Sequence, residues 1–289
     1  MIARFHFPAA IAAAATAAAR SGSDEIELPE ALAHHALRVL RLRDGEQIVL
    51  FDGQGGEYSA RLQVDGRRCR ARLEPPCAVE RESPLQLVLV QALAAGEKMD
   101  WVIQKAVELG VNAIVPVQAE RSVLRLSGER AAKRLAHWQQ IVISACEQSG
   151  RNRIPTVAAV RPLNEWLNDW RSEQPRPPAY VLAPGAGAML GSGPAPAGPV
   201  YLLIGPEGGW SEGELQALTA AGCEAVSLGP RVLRTETAGL AALTVLQARW
   251  GDFSAAGADA TDATDATDVT GASIHVHGNQ QSATTRESR

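Results

Sequence analysis

The chain of 289 residues contains few cysteines, few lysines and no long apolar run, and each shortage excludes a class of protein. The four cysteines form no C-x-x-C pair and lie beside no histidine cluster, so the sequence predicts neither a metal site nor a disulfide framework. This cysteine usage fits the reducing cytoplasm, where we expect the protein to act. Because no run of about 18 apolar residues free of charge occurs, neither a membrane-spanning helix nor a membrane partner is expected.

Charge is unevenly distributed along the chain. The formal net charge is −4, and the segment from residue 254 onward, with five acidic and two basic residues, contributes −3 of it. The remaining body is therefore nearly neutral, at −1. Such a body does not attract nucleic acid by its overall charge, so a nucleic-acid partner must contact a local basic patch. Only three of the 28 basic residues are lysines, and a high-GC genome explains this excess of arginine as well as any function does.

Three segments differ in pattern. Residues 1–74 contain closely spaced predicted strands, including a hairpin around Asp65-Gly66, which suggests a small β-barrel; Pro75, Pro76 and Pro84 mark a linker. The alanine-rich stretch 9–19 within this segment resembles a signal peptide, but alanine is a weak substitute for a leucine-rich export segment and we assign the stretch to the folded chain. Residues 75–253 alternate strands and helices, which predicts an α/β domain with a largely parallel sheet. Residues 254–289 are rich in Ala, Asp and Thr and are predicted to be disordered.

One helix is predicted in detail because it carries a lysine-containing motif. Residues 98–109 have apolar side chains spaced for a buried stripe that includes Trp101, Ile103, Ala106 and Val107, with Gly110 as the stop signal.

Three glycine-containing loops follow predicted strands. The first, residues 185–191, sits where a dinucleotide-binding loop would lie, but the Pro- and Gly-rich segment after it starts no helix, so we interpret it as a flexible connection. The second, residues 205–210, follows an apolar strand and precedes a helix with a capping box at Ser211 and Glu214. Its three glycines allow a ligand to approach the main chain, and we favour a ligand loop over a simple tight turn.

The third loop, residues 229–234, again joins a strand to a helix, which is predicted to begin near Thr235. Glu236 lies in the first turn of that helix and Arg234 directly before it. Two interpretations stay open for these charges: a functional site, or a helix-dipole contact for Glu236 and an ordinary surface position for Arg234.

Four blocks in this order, residues 98–111, 145–153, 204–209 and 228–238, resemble the RsmE family, the 16S rRNA (uracil-N3)-methyltransferases of the SPOUT superfamily. The resemblance runs from Arg4 to about Asp252. It implies an N-terminal PUA-like β-barrel for RNA and a C-terminal SPOUT α/β domain with a trefoil knot. It also implies a homodimer and S-adenosyl-L-methionine-dependent methylation of N3 of one uridine, uracil 1498, in 16S rRNA of the small ribosomal subunit.

The resemblance also implies a cofactor pocket. By position, its walls are formed by residues of the strand ends and loops just described: Leu182, Ala183, Ile204, Gly205, Gly209, Leu228, Gly229, Leu233 and Ala238.

The chemistry of uracil suggests roles for the charged residues. N3 becomes nucleophilic once its proton leaves and negative charge spreads to O2 and O4, which a carboxylate and a guanidinium can promote. We hypothesise that Arg234 stabilises this charge and that Glu236 or Glu207 is the base; Glu207 has the alternative of bracing its loop.

RNA contacts are predicted at two places. Arginines cluster after the first short helix and on one face of the hairpin, where strand alternation places them together; a solvated surface is the competing interpretation. The residues chosen for RNA binding are Arg38, Arg41, Arg68 and Arg70, and, at the end of a long helix, Gln148, Arg151, Asn152 and Arg153.

Two other functions remain possible from sequence. One is a non-catalytic RNA-binding or ribosome-assembly factor that keeps the fold without the reaction. The other is a SPOUT enzyme with a different RNA target, such as the 2′-hydroxyl of a transfer RNA.

Overall fold

The computed structural model describes residues 2–66 and 68–253. The disordered tail predicted for residues 254–289 lies outside the described residues. The N-terminal part contains five strands and two helices, the second of which continues as a π-helical turn over His35–Val39. In chain order they are β1 (Ala3–His6), α1 (Ile11–Arg20), β2 (Glu25–Glu27), α2 (Glu30–His34), β3 (Gln47–Phe51), β4 (Glu57–Asp65) and β5 (Arg68–Cys77).

The five N-terminal strands form one sheet in the order β1-β3-β4-β5-β2. The predicted hairpin is confirmed as β4 and β5, which pair antiparallel with a register shift between Tyr58 and Ala60. The predicted linker begins too early, since Pro75 and Pro76 belong to β5 and Pro76 pairs with Tyr58. Proline is tolerated in such a strand where its missing N–H is not needed by the partner.

The alanine-rich stretch forms α1, a helix that the strand-rich interpretation of this segment overlooked. Alanine has the highest helix propensity of all residues. Ile11 at the first position is fully buried, and Ala14, Ala15 and Ala18 pack against the core of the N-terminal sheet.

The C-terminal part alternates strands and helices as predicted. Its elements are β6 (Leu87–Ala92), α3 (Lys98–Glu108), β7 (Ala113–Gln118), α4 (Gly128–Ser149), β8 (Thr156–Val157), β9 (Arg161–Pro162), α5 (Leu163–Ser172), β10 (Ala179–Leu182), β11 (Ala188–Met189), β12 (Val200–Ile204), α6 (Glu212–Ala220), β13 (Glu224–Ser227) and α7 (Thr235–Trp250).

These strands form a parallel eight-stranded sheet in the order β11-β13-β10-β12-β6-β7-β8, with β9 paired to β7. Both faces of the sheet are covered, which explains why β6 opens with four consecutive apolar residues, 87–90. Leu87 and Leu89 join the core beneath α3, α4 and α7, whereas Val88 and Val90 join the core beneath α5 and α6. The prediction of an α/β part with a largely parallel sheet is therefore confirmed, although residues 75–77 belong to β5 of the N-terminal sheet.

The buried stripe of α3 differs from the prediction at Trp101. The buried side chains are Met99, Val102, Ile103, Ala106 and Val107, spaced three and four apart. Trp101 is 46% exposed, because its position falls between the rows of that stripe.

A polar cluster joins the two parts of the chain. Arg4 of β1 donates to Glu57 Oε2 at 2.6 Å and to Asn152 Oδ1 at 2.6 Å. Glu147 near the end of α4 accepts from the backbone N–H of His6 at 3.0 Å. Backbone hydrogen bonds add to these, such as that from Ile154 to the Gly53 carbonyl at 3.3 Å. The N-terminal sheet is thus docked on the end of α4 and the loop after it.

Candidate functional site: a cavity at the ends of three adjacent strands

Three loops meet at one edge of the large sheet. They follow β10, β12 and β13, which are neighbours in the order β13-β10-β12. Because both pairings, β10 with β12 and β10 with β13, are parallel, the carboxyl ends of these strands point to the same edge. Ligands of open α/β sheets bind at this edge, between the loops.

The loops enclose a cavity of about 500 Å³. All nine residues predicted to hold the cofactor line it. They are Leu182, Ala183, Ile204, Gly205, Gly209, Leu228, Gly229, Leu233 and Ala238. The structure therefore brings all nine of these residues together around one cavity. The first glycine loop, residues 185–191, is not part of the cavity wall, which includes Pro184 just before it; β11 lies within this loop and no helix follows before β12.

The loop after β12 is fixed by the helix that follows it. Ser211 caps α6 by accepting from the Glu214 N–H, and Glu214 accepts from the Ser211 N–H, so the predicted capping box is confirmed. Gly209 has φ +67°, a conformation that favours glycine. Gly205 lies so close to Trp210 that a Cβ atom would stand 3.3 Å from the indole Cε2. These contacts fold the loop back over the strand end.

Thr235 ties the second and third loops together. Its hydroxyl donates to the Gly205 carbonyl at 2.6 Å and accepts from Gln91 Nε2 at 3.0 Å. Thr235 is buried at the start of α7, which begins where the sequence predicts. The first turn of α7 is therefore attached to the strands that carry the cavity.

Ionisable side chains gather on one side of the cavity. Lys98 Nζ lies 3.2 Å from Glu207 Oε1 and 3.6 Å from Glu236 Oε2. Burial alone would raise the pKa of Glu207, but hydrogen bonds from the Ala95 and Glu207 N–H groups and from Lys98 outweigh it, so this pKa lies below its ordinary value. Glu207 is consequently held as a carboxylate.

The three residues predicted to be catalytic occupy different positions. Arg234 and Glu207 line the cavity, whereas Glu236 lies behind Lys98 and is not part of the cavity wall. Its Oε2 is buried and accepts no hydrogen bond from the described residues. Lys98 lines the cavity and is missing from the predicted site residues. The sequence feature that could have pointed to Lys98 is its composition, because lysine is rare in this arginine-rich chain.

The arginines predicted for RNA on the N-terminal part are accessible. Arg38 and Arg41 are exposed beside Val39 and Leu40, two apolar side chains that are also exposed. Arg68 and Arg70 lie on β5 with Cys69 buried between them, so they share the outward face, and Arg70 also pairs with Glu25 at 3.7 Å. The structure does not bring these arginines into the cavity.

The four residues predicted at the end of α4 divide into two pairs. Gln148 and Arg153 are exposed, and Arg153 Nε bonds Glu80 at 2.5 Å. Arg151 and Asn152 require a correction, because they are 4% and 0% exposed. Their side-chain polar groups form hydrogen bonds within the protein and do not face the solvent.

The partners of these two buried side chains explain their position. Arg151 binds the Glu82 carboxylate and the carbonyls of Val107 and Val111. Asn152 takes part in the polar cluster between the two parts of the chain. A buried charge is retained only when its hydrogen bonds are satisfied, so these residues hold the fold together.

Residues 2–66 and 68–253 contain neither a cluster of metal ligands nor a helix that could span a membrane. No group of three or more His, Cys, Asp and Glu side chains is arranged to hold a metal ion. No helix in the same ranges has the length and apolar character to cross a membrane.

Comparison with known proteins accounts for both parts of the chain. Residues 81–247 match the family model described as an RNA methyltransferase domain, and residues 28–74 match an RNA methyltransferase PUA domain. The ribosomal RNA small subunit methyltransferase E of Bacillus subtilis is 35% identical over 221 residues, which cover 74% of this chain and 86% of that protein. The chain belongs to the RsmE family of RNA methyltransferases.

Other RsmE-family proteins extend the match. The Mycobacterium bovis protein of the same name is 39% identical over 222 residues, covering 75% of this chain and 84% of the relative. The crystal structure of the Neisseria gonorrhoeae protein, bound to S-adenosyl methionine, has a TM-score of 0.77 and 40% identity, and it covers 88% of this chain and all of the other. The chain thus spans both parts that these RsmE-family proteins share.

Proposed function

We propose that this chain transfers the methyl group of S-adenosyl-L-methionine to N3 of a specific uridine, uracil 1498, in 16S rRNA of the small ribosomal subunit. One observation carries the proposal: the cavity formed by the three loops contains every residue that the family resemblance assigns to the methyl donor. A relative of 40% identity binds S-adenosyl methionine. The target nucleotide follows from the family resemblance of the four sequence blocks.

The cavity wall fits the donor. Leu182, Leu228 and Leu233 provide an apolar surface for a planar base, and the adjoining glycines expose main-chain groups that can hydrogen-bond its edge. Trp210 lines the cavity, and its buried Nε1 donates to no acceptor among the described residues. A ligand with hydrogen-bond acceptors satisfies that donor.

The nucleophile of this reaction needs activation, whereas the electrophile does not. When bound, the donor supplies a methyl group on a sulfonium, which is already reactive, so proximity and deprotonation of N3 are what the chain provides. We propose that Arg234, which lines the cavity, stabilises negative charge on O2 or O4.

Two carboxylates are candidates for the general base that removes the N3 proton. Glu207 has direct access to the cavity, although its hydrogen bonds lower its pKa and hence its basicity. Glu236 reaches the cavity through Lys98 and keeps one oxygen without a hydrogen bond among the described residues.

The N-terminal part is proposed to bind the RNA. Its exposed arginines Arg38, Arg41 and Arg68 and the half-buried Arg70 offer phosphate contacts, and Gln148 and Arg153 extend this surface onto the C-terminal part. We further propose that the N-terminal sheet is a PUA-like barrel, that the chain end forms a trefoil knot, and that the protein acts as a homodimer in the cytoplasm.

The test uses small ribosomal subunits purified from a strain that lacks the corresponding modification. They are incubated with the purified chain and labelled S-adenosyl-L-methionine, and the rRNA is digested to nucleosides. The expected product is 3-methyluridine at one position. RNA binding without label transfer would identify an assembly factor instead, and label on a 2′-hydroxyl would identify a different target.

A further inference from the structure

Lys98 has surroundings that no other cation of the cavity shares. It extends from the first position of α3 to the cavity wall, and its side chain is 32% exposed. Carboxylates flank it on both sides, Glu207 from the loop after β12 and Glu236 from the first turn of α7. Three separate segments therefore converge on one ammonium group.

The hydrogen bonds of Lys98 leave it able to bind a ligand. An ammonium has three N–H donors. Within the described residues, Glu207 Oε1 is its hydrogen-bond acceptor at 3.2 Å, and Glu236 Oε2 at 3.6 Å is an ion-pair partner beyond hydrogen-bond distance. At least one donor consequently remains for a molecule in the cavity.

Glu207 does not depend on Lys98 alone. The Ala95 N–H donates to the same Oε1 atom at 2.9 Å, so the loop carrying Glu207 has a second attachment to the start of α3. A purely structural brace would be partly redundant here. The Ala95 N–H can hold the loop as Lys98 does, but of these two only Lys98 places a positive charge on the cavity wall.

We propose that Lys98 donates a hydrogen bond to a carbonyl oxygen next to N3 of the bound uracil and stabilises the charge that forms there. This rests on the proposed function. The N3–H bond breaks and its proton passes to the carboxylate of Glu207 or Glu236, leaving an electron pair that spreads from N3 to O2 and O4. That pair then forms the N3–methyl bond, while the carbon–sulfur bond breaks and its electrons stay on sulfur.

The charges around the cavity are consistent with this role. Lys98 pairs with the two carboxylates, and Arg231 and Arg234 are the other basic residues of the wall. A neutral uracil therefore enters a site in which the ammonium of Lys98 is already held by two carboxylates before the N3 proton leaves. Fixed charges of this kind stabilise a transition state without rearrangement.

The first experiment compares Lys98→Met and Lys98→Arg with Lys105→Met. Lys105 lies on the same helix, pairs with Glu108 at 2.8 Å and is not part of the cavity wall. Single-turnover methylation of small subunits should be about 100-fold slower in Lys98→Met, as for other lost transition-state donors. Lys98→Arg should recover part of that loss and Lys105→Met should match the wild type. Donor affinity, from calorimetry with S-adenosyl-L-methionine, should stay within about threefold of the wild-type value.

The second experiment changes the acidity of the substrate. Small subunits are reconstituted with 16S rRNA transcribed with 5-fluorouridine, whose electron-withdrawing fluorine makes N3–H more acidic. Less charge stabilisation is then needed, so the rate ratio of wild type to Lys98→Met should shrink at least about threefold. A residue that only braces a loop gives the same ratio on both substrates.

The outcomes separate this inference from the proposed function. If the wild type forms no 3-methyluridine, the proposed function fails. If it does, an undiminished rate in Lys98→Met, an unchanged ratio on the fluorinated substrate, or lost donor affinity each overturns the role of Lys98. The last result would assign Lys98 to the methyl donor.

Discussion

Glu207 and Glu236 present two carboxylates with different surroundings near the same ammonium. Glu207 is hydrogen-bonded and lines the cavity, while Glu236 is set behind Lys98. A base needs access to the proton that it removes, and a free lone pair to receive it. Each carboxylate meets part of this requirement.

The replacements Glu236→Gln and Glu207→Gln distinguish the two. The variant that lacks the base should lose about tenfold or more in single-turnover rate with donor binding retained, because the amide keeps the shape and loses the basicity. Glu165→Gln, on the exposed side of α5, is the control. Wild-type turnover in both variants would remove the carboxylates from the proton transfer.

Gly205 offers a steric test of the cavity. A Cβ atom there would lie 3.3 Å from both Cε2 and the backbone N of Trp210, so Gly205→Ala should push the loop outward. We expect a loss of about 1–3 kcal/mol in donor binding, the usual cost of overpacking, measured by calorimetry. Gly187→Ala is matched to it, because its Cβ would meet nothing within 4 Å. Equal affinities for the two variants would contradict a close loop.

At the scale of elements, the start of α6 determines the shape of the loop before it. Ser211→Ala removes the side-chain half of the capping box and should lower the free energy of unfolding by about 1 kcal/mol. Ser127→Ala is the comparison, because Ser127 begins α4 without a side-chain cap hydrogen bond. Urea denaturation of both variants measures the difference, and equal midpoints would show that the box adds no stability.

Element starts were predictable because their signals are local. The capping box at Ser211 and the start of α7 at Thr235 are each encoded by a few consecutive residues, and the strand ends are encoded by apolar runs. The cavity position followed from these signals together with the family resemblance. Helix α1 was overlooked because a single large apolar side chain, Ile11, marks its buried face and the rest of that face is alanine.

Contacts between distant residues could not be predicted in this way. Lys98 and Glu207 are separated by 109 positions, and nothing local indicates that they meet. Arg151 and Asn152 looked like surface polar residues at a helix end, yet their partners come from other segments. Burial of a charge depends on partners that only the assembled fold supplies.

At the scale of the whole molecule, Glu57 is central to the contact between the two parts. It accepts hydrogen bonds from Arg4, Arg81 and Asn152. Burial alone would raise the pKa of Glu57, but the bonds from Arg4 and Asn152 outweigh it and this pKa lies below the ordinary 4.5. The folded chain therefore binds fewer protons than the unfolded chain just below that pH, and stability falls as the pH drops through this interval.

Replacement of Glu57 by Gln should remove this pH-dependent stability. Near neutral pH the variant should be less stable by about 2 kcal/mol, the usual contribution of hydrogen bonds to a charged group. The difference from the wild type should shrink as the pH falls below 4.5, in thermal unfolding followed across pH. Glu129→Gln, on an exposed carboxylate, should show neither effect. A difference independent of pH would contradict the assignment to Glu57.

The docking of the N-terminal sheet on the end of α4 sets a fixed distance between the exposed arginines and the cavity. We propose that this distance restricts the substrate to RNAs whose backbone phosphates and target base are spaced to reach both places at once. A short oligonucleotide with only the target base would then be methylated more slowly than a folded ribosomal RNA.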